Sequence, residues 1–405
     1  MVALFSFHRH NWQAKSLLLE EQSMPSQDPR EYFGELKEWS ERKLNILERY
    51  LDSFTKILGS LGGGGQVYYV DAFAGKGIYD DDAKGSALRA AELARKYQLE
   101  DRQYRLKCIN VEAEYENYEN LEANSSGFGD LVSNFHGTFV ENLDQILQET
   151  ANSSALFFLD PFGVKGIDWE AVQKIIRRGF GTDLWIRFDY SGVRRLYGRY
   201  GDITPGAEKS FQILCDTYGI QDQEYLYRTL SGETAEIRIQ KAIALYLQRL
   251  ADEFGRVRGS GFAAAYTIKS LQEQGKYSLM FATGHPRGAI IASEVVCGIE
   301  ETYQRELEEY KASQSTQLAF SFLNPSEEEL FLDKVTRLKE DIWSLCQGQE
   351  LDRTKVYMLV WQKWFGKLKS KHVNEALKAL IVDGRIIHAS GAVSANYTKF
   401  QFRQS

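Results

Sequence analysis

The sequence predicts an α/β fold: a doubly wound, mostly parallel, Rossmann-like sheet with a helical insertion, followed by a small C-terminal winged helix-turn-helix. Three observations lead there. Between residues 66 and 190, short apolar runs alternate with helical patterns, the rhythm of a parallel sheet covered on both faces. Three of those runs are followed at once by a carboxylate (Asp71, Glu112, Asp160), and open α/β sheets bind ligands at the carboxyl ends of their strands. The alternation stops after Asp189, and the chain closes on three helical patterns and a short hairpin rich in Lys and Arg.

The bulk properties bound the possibilities. The 405 residues are 43% hydrophobic with six prolines, which describes an ordered chain able to bury more than one core. No apolar run approaches the roughly 18–20 residues that span a bilayer. His8, Arg9 and His10 stand where a secretory signal would need apolar residues, so a cytoplasmic location is expected. The four cysteines (108, 215, 297, 346) form no C-x-x-C and pair with no histidine at ligand spacing; they read as free thiols, and no metal site is expected. The net charge of −7 hides an uneven distribution. From Arg353 onward ten Lys or Arg face only Glu375 and Asp383, a balance of +8 that leaves −15 for the rest.

Taken in order, residues 1–28 are a polar leader without a clear period. Residues 29–312 form the sheet domain. Its opening helix, about Arg30 to Leu58, places Leu36, Trp39, Leu44, Leu47, Leu51, Phe54 and Leu58 on one face, and the glycines of 59–65 stop it. Tyr68 to Asp71 is the first strand, ending in Asp71-Ala72-Phe73-Ala74-Gly75-Lys76-Gly77. Glycines one residue apart let a ligand approach the backbone where a Cβ would obstruct it. A loop with Asp80, Asp81 and Asp82 delays the next helix until Gly85-Ser86, with Ser86 expected as its N-cap. Leu106 to Val111 is the second strand, and Glu112 stands where such folds place an acid for two ribose hydroxyls. Helices at 115–123 and 143–150 flank a short strand near 134–136. The fully apolar Ala155 to Leu159 runs into Asp160-Pro161-Phe162-Gly163; a helix over 169–178 leads to the fifth strand, 183–188. A helical insertion is expected over about 192–258, opening with the basic, aromatic stretch Arg194 to Tyr200. Strands at 263–269 and 277–283 return as an antiparallel pair, the Gly284-His285-Pro286-Arg287-Gly288 loop ends them, and a charged helix (292–311) follows. A polar linker (313–328) precedes the winged helix-turn-helix domain, 329–405, with helices over 330–346, 353–364 and 370–383 and a wing from 385–388 and 397–402.

The chemistry of the strand ends suits a nucleoside cofactor with a ribose. A continuous G-x-G-x-x-G at a helix start is missing, which disfavours a dinucleotide, and there is no G-x-x-x-x-G-K-[ST] for a triphosphate. S-adenosylmethionine carries a ribose and an ammonium but no phosphate, so acids can stand where phosphate-binding amides would. Asp71, Phe73, Gly75, Gly77 and Glu112 are the expected cofactor residues. Asp160-Pro161-Phe162 resembles the Asp/Asn-Pro-Pro-Tyr/Phe element of amino-group methyltransferases. By that resemblance Asp160 accepts a hydrogen bond from the target amine, the Pro161 carbonyl polarises it and Phe162 stacks on a planar base. The second proline of that element is missing here, and a rigid strand-to-helix turn is the alternative reading of the same residues. In the C-terminal module, Lys367, Lys369, Lys371, His372, Asn374 and Arg385 are the expected nucleic-acid contacts, at the start of the third helix and on the wing; protein pairing is the alternative use of such a module.

The chain as a whole resembles the three-Cys-motif partner protein family of class I methyltransferases. The resemblance lies in Trp39, Lys43-Leu44 and Tyr50-Leu51, in Asp71 to Gly77 with the delayed Gly85-Ser86, in Glu112, in Phe158 to Gly163, and in Phe281-Ala282-Thr283 with His285-Pro286. Arg187-Phe188-Asp189-Tyr190 departs from the pattern. The resemblance implies an S-adenosylmethionine-dependent methyltransferase, with a three-cysteine-motif protein as its partner. Two functions are carried forward: a methyltransferase modifying an amino group on DNA or RNA, and a nucleic-acid-binding regulator that keeps the cofactor fold without turnover.

Overall fold

The computed structural model describes residues 36–61, 65–161, 163, 166–201, 206–314, 326–388 and 391–404. The polar leader, most of the linker, and Phe162 lie outside them.

The strands form where apolar runs predict them. Parallel strands β1 (Gln66–Asp71), β2 (Arg105–Glu112), β3 (Val132–His136), β4 (Ser154–Leu159) and β5 (Thr182–Phe188) join β6 (Phe262–Lys269) and β7 (Gly275–Thr283) in one sheet of order β3-β2-β1-β4-β5-β7-β6. β7 runs antiparallel to both β5 and β6. β1 lies between β2 and β4, with Asp71 opposite Asn110 and Phe158. The sheet is Rossmann-like and mostly parallel, and its order reverses beside β1, where ligand crevices open in such sheets.

The side-chain alternation of the strands divides the core into two layers. Tyr69, Cys108, Leu156, Phe158, Trp185 and Phe281 point to one face, covered by α1 (Glu38–Ser60), α2 (Ser86–Leu99) and α10 (Pro286–Gln314). Val70, Ile109, Phe157, Leu159, Leu184 and Ile186 point to the other, covered by α4 (Phe139–Glu149), α5 (Trp169–Ile176) and the insertion. α3 (Tyr115–Ser125) lies beside β3. The expected helical insertion is made of four helices: α6 (Tyr190–Tyr197), α7 (Ala207–Tyr218), α8 (Gln223–Leu230) and α9 (Ala235–Arg258). α6 and α8 are eight residues each with only two buried residues apiece, too little for a clear apolar period. The segment Gly284 to Gly288 is also different from expectation. Pro286 is the first residue of α10, because a fixed φ and a missing N–H suit a first helical turn. His285 Nδ1 accepts from Arg287 N in that turn.

The C-terminal segment forms α11 (Glu327–Cys346), β8 (Glu350–Asp352), α12 (Arg353–Trp364), α13 (Ser370–Val382), β9 (Ile386–His388) and β10 (Lys399–Phe402). The three strands make an antiparallel sheet of order β8-β10-β9, one strand more than the expected hairpin. This unit is welded to the sheet domain. Its apolar residues Trp361, Phe365 and Leu368 belong to the same core cluster as Val296 and Ala292 of α10. Trp361 Nε1 donates to Ala289 O at 2.7 Å and Gly366 N to Ser293 Oγ at 3.2 Å. Gly366 has φ +71°, and a Cβ there would stand 2.6 Å from Val296 Cγ1, so the close approach needs glycine. Among the described residues no helix is long and apolar enough to cross a membrane.

Candidate functional site

The carboxyl ends of β1, β2 and β4 meet at one crevice. Ala72 N donates to Phe158 O and Ala74 N to Val111 O, so the chain leaving β1 is tied to β4 and β2. Gly75 and Gly77 have φ +62° and +81° and turn the chain back sharply. Gly85 N then closes on Gly77 O at 2.8 Å, which folds the acidic loop outward. Asp80 of that loop pairs with Lys76, and Asp81 accepts from Leu36 N and Ala83 N.

Asp71 is fully buried and turned inward. It accepts from Tyr69 Oη, from Phe73 N at 3.3 Å and from the Ser86 hydroxyl. Burial raises its carboxyl to about 6, and these donors hold it down from going higher. Ser86 is therefore the first residue of α2, not its cap; Gly85 takes the cap position and the hydroxyl goes to Asp71. Asp71 shapes the glycine turn from beneath.

Glu112 holds the same turn from the side. Its Oε2 accepts from Gly75 N and its Oε1 from Glu114 N, each at 2.8 Å, and Asn117 adds a third donor. Burial raises its carboxyl above the ordinary glutamate value, opposed by those bonds. Three donors on about four lone-pair positions leave one, so a single hydroxyl donor still fits.

Asp160 is the third carboxylate and the most unusual. Its Oδ2 pairs with Lys43 Nζ of α1, with side chains only 3% and 8% exposed. Its Oδ1 accepts no hydrogen bond, and the Arg187 Nε stands 3.5 Å away. The Lys43 ammonium also lies 5.6 Å from the centre of the Phe158 ring. Arg187 Nη1 donates to Pro161 O at 3.1 Å, and its guanidinium covers the Tyr277 ring. Lys43 and Arg187 are residues the sequence reading did not place at the site. A signal existed for Lys43: a lysine inside the apolar stripe of α1, between Trp39 and Leu47.

Two cavities open here. The first is lined by Lys43, Phe73, Gly77, Tyr79, Ser86 and Asp160. The second lies beyond Pro161 and is lined by Gly163, Arg187, Asp189, Val193 and Tyr246, so α6 and α9 supply one wall. Beside it Tyr227 stacks on Tyr197 and Tyr200, with ring centres 4.8 and 4.2 Å apart, and Arg194 and Arg195 are exposed on α6.

The six C-terminal residues lie far along the chain in a different setting. Lys369 pairs with Glu301 of α10 at 2.5 Å, and Lys371 sits over the Phe331 ring. His372 is buried, accepts from Lys369 N and is pushed down to about 4 by burial, so it is neutral at pH 7. Asn374 accepts from Arg353 Nε. Arg385 makes a two-pronged pair with Glu340. Lys367 is exposed. Lys363, Lys378 and Lys399 likewise pair with Asp341, Glu375 and Glu350. Much of the local positive charge is thus met by acids, three of them (Glu301, Glu340 and Asp341) on α10 and α11.

No protein-family model and no curated protein matches the chain. Among solved structures it is similar to the O-methyltransferase TomG from Streptomyces achromogenes in complex with SAM, at 11% identity over 58% of this chain and 78% of that one, TM-score 0.30. It is also similar to an O-methyltransferase from Bacillus cereus in complex with SAH, at 14% identity over 58% and 79%, TM-score 0.31. A third is a putative O-methyltransferase from Klebsiella pneumoniae, at 12% identity over 61% and 90%, TM-score 0.30.

Proposed function

We propose that the chain is an S-adenosylmethionine-dependent methyltransferase of the class I type, as its resemblance to the three-Cys-motif partner proteins implies. The observation that carries the reading is the crevice itself. A glycine turn of positive φ lies between two carboxylates, Glu112 at the end of β2 and Asp160 after β4, in a sheet whose last two strands close it as an antiparallel pair. No ring of backbone amides for a pyrophosphate is built there, because Glu112 already takes the Gly75 amide. A phosphate-free nucleoside with two ribose hydroxyls and a cationic end fits that donor set. Glu112 is suited to one of the hydroxyls, and Gly77 supplies the positive-φ turn that packs against Leu88 and Leu121 beneath the crevice. Bound there, such a cofactor supplies an electrophilic methyl group on sulfur.

The acceptor would enter from the second cavity, past Pro161. An amino group on a nucleic acid is the acceptor that Asp160-Pro161-Phe162 favours, and the tyrosine stack with Arg194 and Arg195 beside that cavity suits a planar base and its phosphates. The winged-helix reading of the C-terminal unit gives Lys367, Lys371 and Arg385 to a nucleic acid or to a protein partner.

One observation favours the regulator instead. The Asp160 carboxylate and the Pro161 carbonyl, both needed to polarise an amine, are already engaged by Lys43 and Arg187. Exposure of cellular DNA, RNA and protein to the full chain and methyl-labelled cofactor separates the two. Label in one of the three pools supports the enzyme; cofactor binding with no label in any pool, with or without a three-cysteine-motif protein added, supports the regulator.

A further inference from the structure

We propose that the buried pair Lys43–Asp160 is the receptor for the amino-acid end of the cofactor: Lys43 takes its carboxylate and Asp160 its ammonium. The inference rests on the methyltransferase reading above and gives Asp160 a different task from orienting the acceptor.

Three features carry it. First, location: Lys43 and Asp160 line the same cavity as Phe73, Gly77 and Ser86, whereas the acceptor-side cavity is reached through Pro161 and Gly163. Second, availability: Asp71, the carboxylate nearest the glycine turn, spends its oxygens on Tyr69, Phe73 and Ser86 and does not line the cavity. Asp160 does line it, and its Oδ1 is buried without a hydrogen-bond donor, a cost that a ligand N–H removes. Third, charge: a bare ammonium or carboxylate is expensive to bury, but a pair of opposite charges can be exchanged for another pair at constant net charge. An α-amino acid is such a pair. Entering between Lys43 and Asp160, it replaces one internal ion pair by two intermolecular ones. Arg187 stays beside Oδ1, 3.5 Å away. Charge-assisted hydrogen bonds of this kind are about twice as strong as neutral ones. The pair thereby selects a nucleoside carrying an amino acid over the same nucleoside without one.

Calorimetry on the full chain tests this with two ligands. S-adenosylhomocysteine has the amino-acid end; 5′-methylthioadenosine has the same nucleoside and sulfur without it. The wild type should bind S-adenosylhomocysteine tighter by on the order of 10²-fold. Asp160→Asn and Lys43→Met should each erase most of that margin and leave the affinity for 5′-methylthioadenosine unchanged. Lys43→Arg should restore part of it. A wild-type margin near unity overturns the proposal without recourse to any variant, which covers the case that a broken buried pair fails to fold. A margin that survives Asp160→Asn in a folded protein also overturns it and returns Asp160 to the acceptor. If the wild type binds neither nucleoside, the methyltransferase reading fails and this one with it.

Discussion

The crevice at the sheet edge and the C-terminal unit both concentrate charge, and they handle it in opposite ways. At the crevice, three carboxylates and Lys43 are buried, Arg187 is half-buried, and one oxygen, Asp160 Oδ1, has no hydrogen-bond donor. In the C-terminal unit most charges are at the surface and many are paired: Lys363 with Asp341, Lys369 with Glu301, Arg385 with Glu340, Lys399 with Glu350. Exposed pairs of this type contribute about 0–1 kcal/mol each, whereas one broken buried pair costs about 3–5 kcal/mol. Spare bonding capacity in a buried place, on a cavity wall, is what the proposed ligand site offers. A local charge excess marks no such site, because its partners can come from elsewhere in the chain. Counted from Ser326, thirteen Lys and Arg stand against ten Asp and Glu, and the apparent basic module is nearly balanced.

The comparison is sharpened most by Trp361, which joins the two regions. Trp361→Ala removes a buried ring and its hydrogen bond to Ala289 O, and should cost about 3–5 kcal/mol in chemical denaturation. The sheet domain should lose stability along with α12 in one cooperative transition. Two separate transitions, with the sheet unaffected, would show that the C-terminal unit is independent. Gly77→Val comes next. A Cβ at φ +81° would press on Leu88 and Leu121 at 3.2 Å, so the turn must shift. Cofactor binding should be lost in calorimetry, at a stability cost of about 1–3 kcal/mol with the fold kept.

A smaller effect separates buried acids from surface ones by pH. Asp183, held by Tyr50 Oη and Thr283, is raised to about 6 by burial. Its folded form holds the proton more tightly than the unfolded chain does. The stability it contributes is therefore complete below the ordinary aspartate value of about 3.8 and is lost as pH rises through about 6. Asp183→Asn should gain on the wild type between pH 4 and 6 in thermal unfolding and run parallel to it above. The smallest effect belongs to the surface. Arg385→Gln breaks a two-pronged pair with Glu340 and should change stability by under about 1 kcal/mol.

Much of the sheet edge was legible in the sequence, because a strand ending in an acid or a glycine turn is a local pattern. Asp71, Gly75, Gly77 and Glu112 lie within a few residues of where their strands stop, and the apolar runs place them. What was not legible is what depends on contacts distant in the chain. Lys43 and Asp160 are 117 residues apart, and no spacing rule joins them. Three acids that pair with C-terminal cations, Glu301, Glu340 and Asp341, lie on α10 and α11, before the stretch whose charge looked uncompensated. Short elements escaped for a different reason. β8 has three residues, held by β10 and not by its own pattern.

The central claim is that the crevice between Gly75, Gly77, Glu112 and Asp160 binds S-adenosylmethionine. Equilibrium binding of S-adenosylmethionine and of NADH to the full chain, repeated with Glu112→Gln, tests it most directly. The account predicts one site for S-adenosylmethionine, weakened on the order of tenfold or more in Glu112→Gln, which halves the hydroxyl-accepting carboxylate, and no site for NADH. Binding of NADH with equal affinity, or an S-adenosylmethionine affinity untouched by Glu112→Gln, would contradict it.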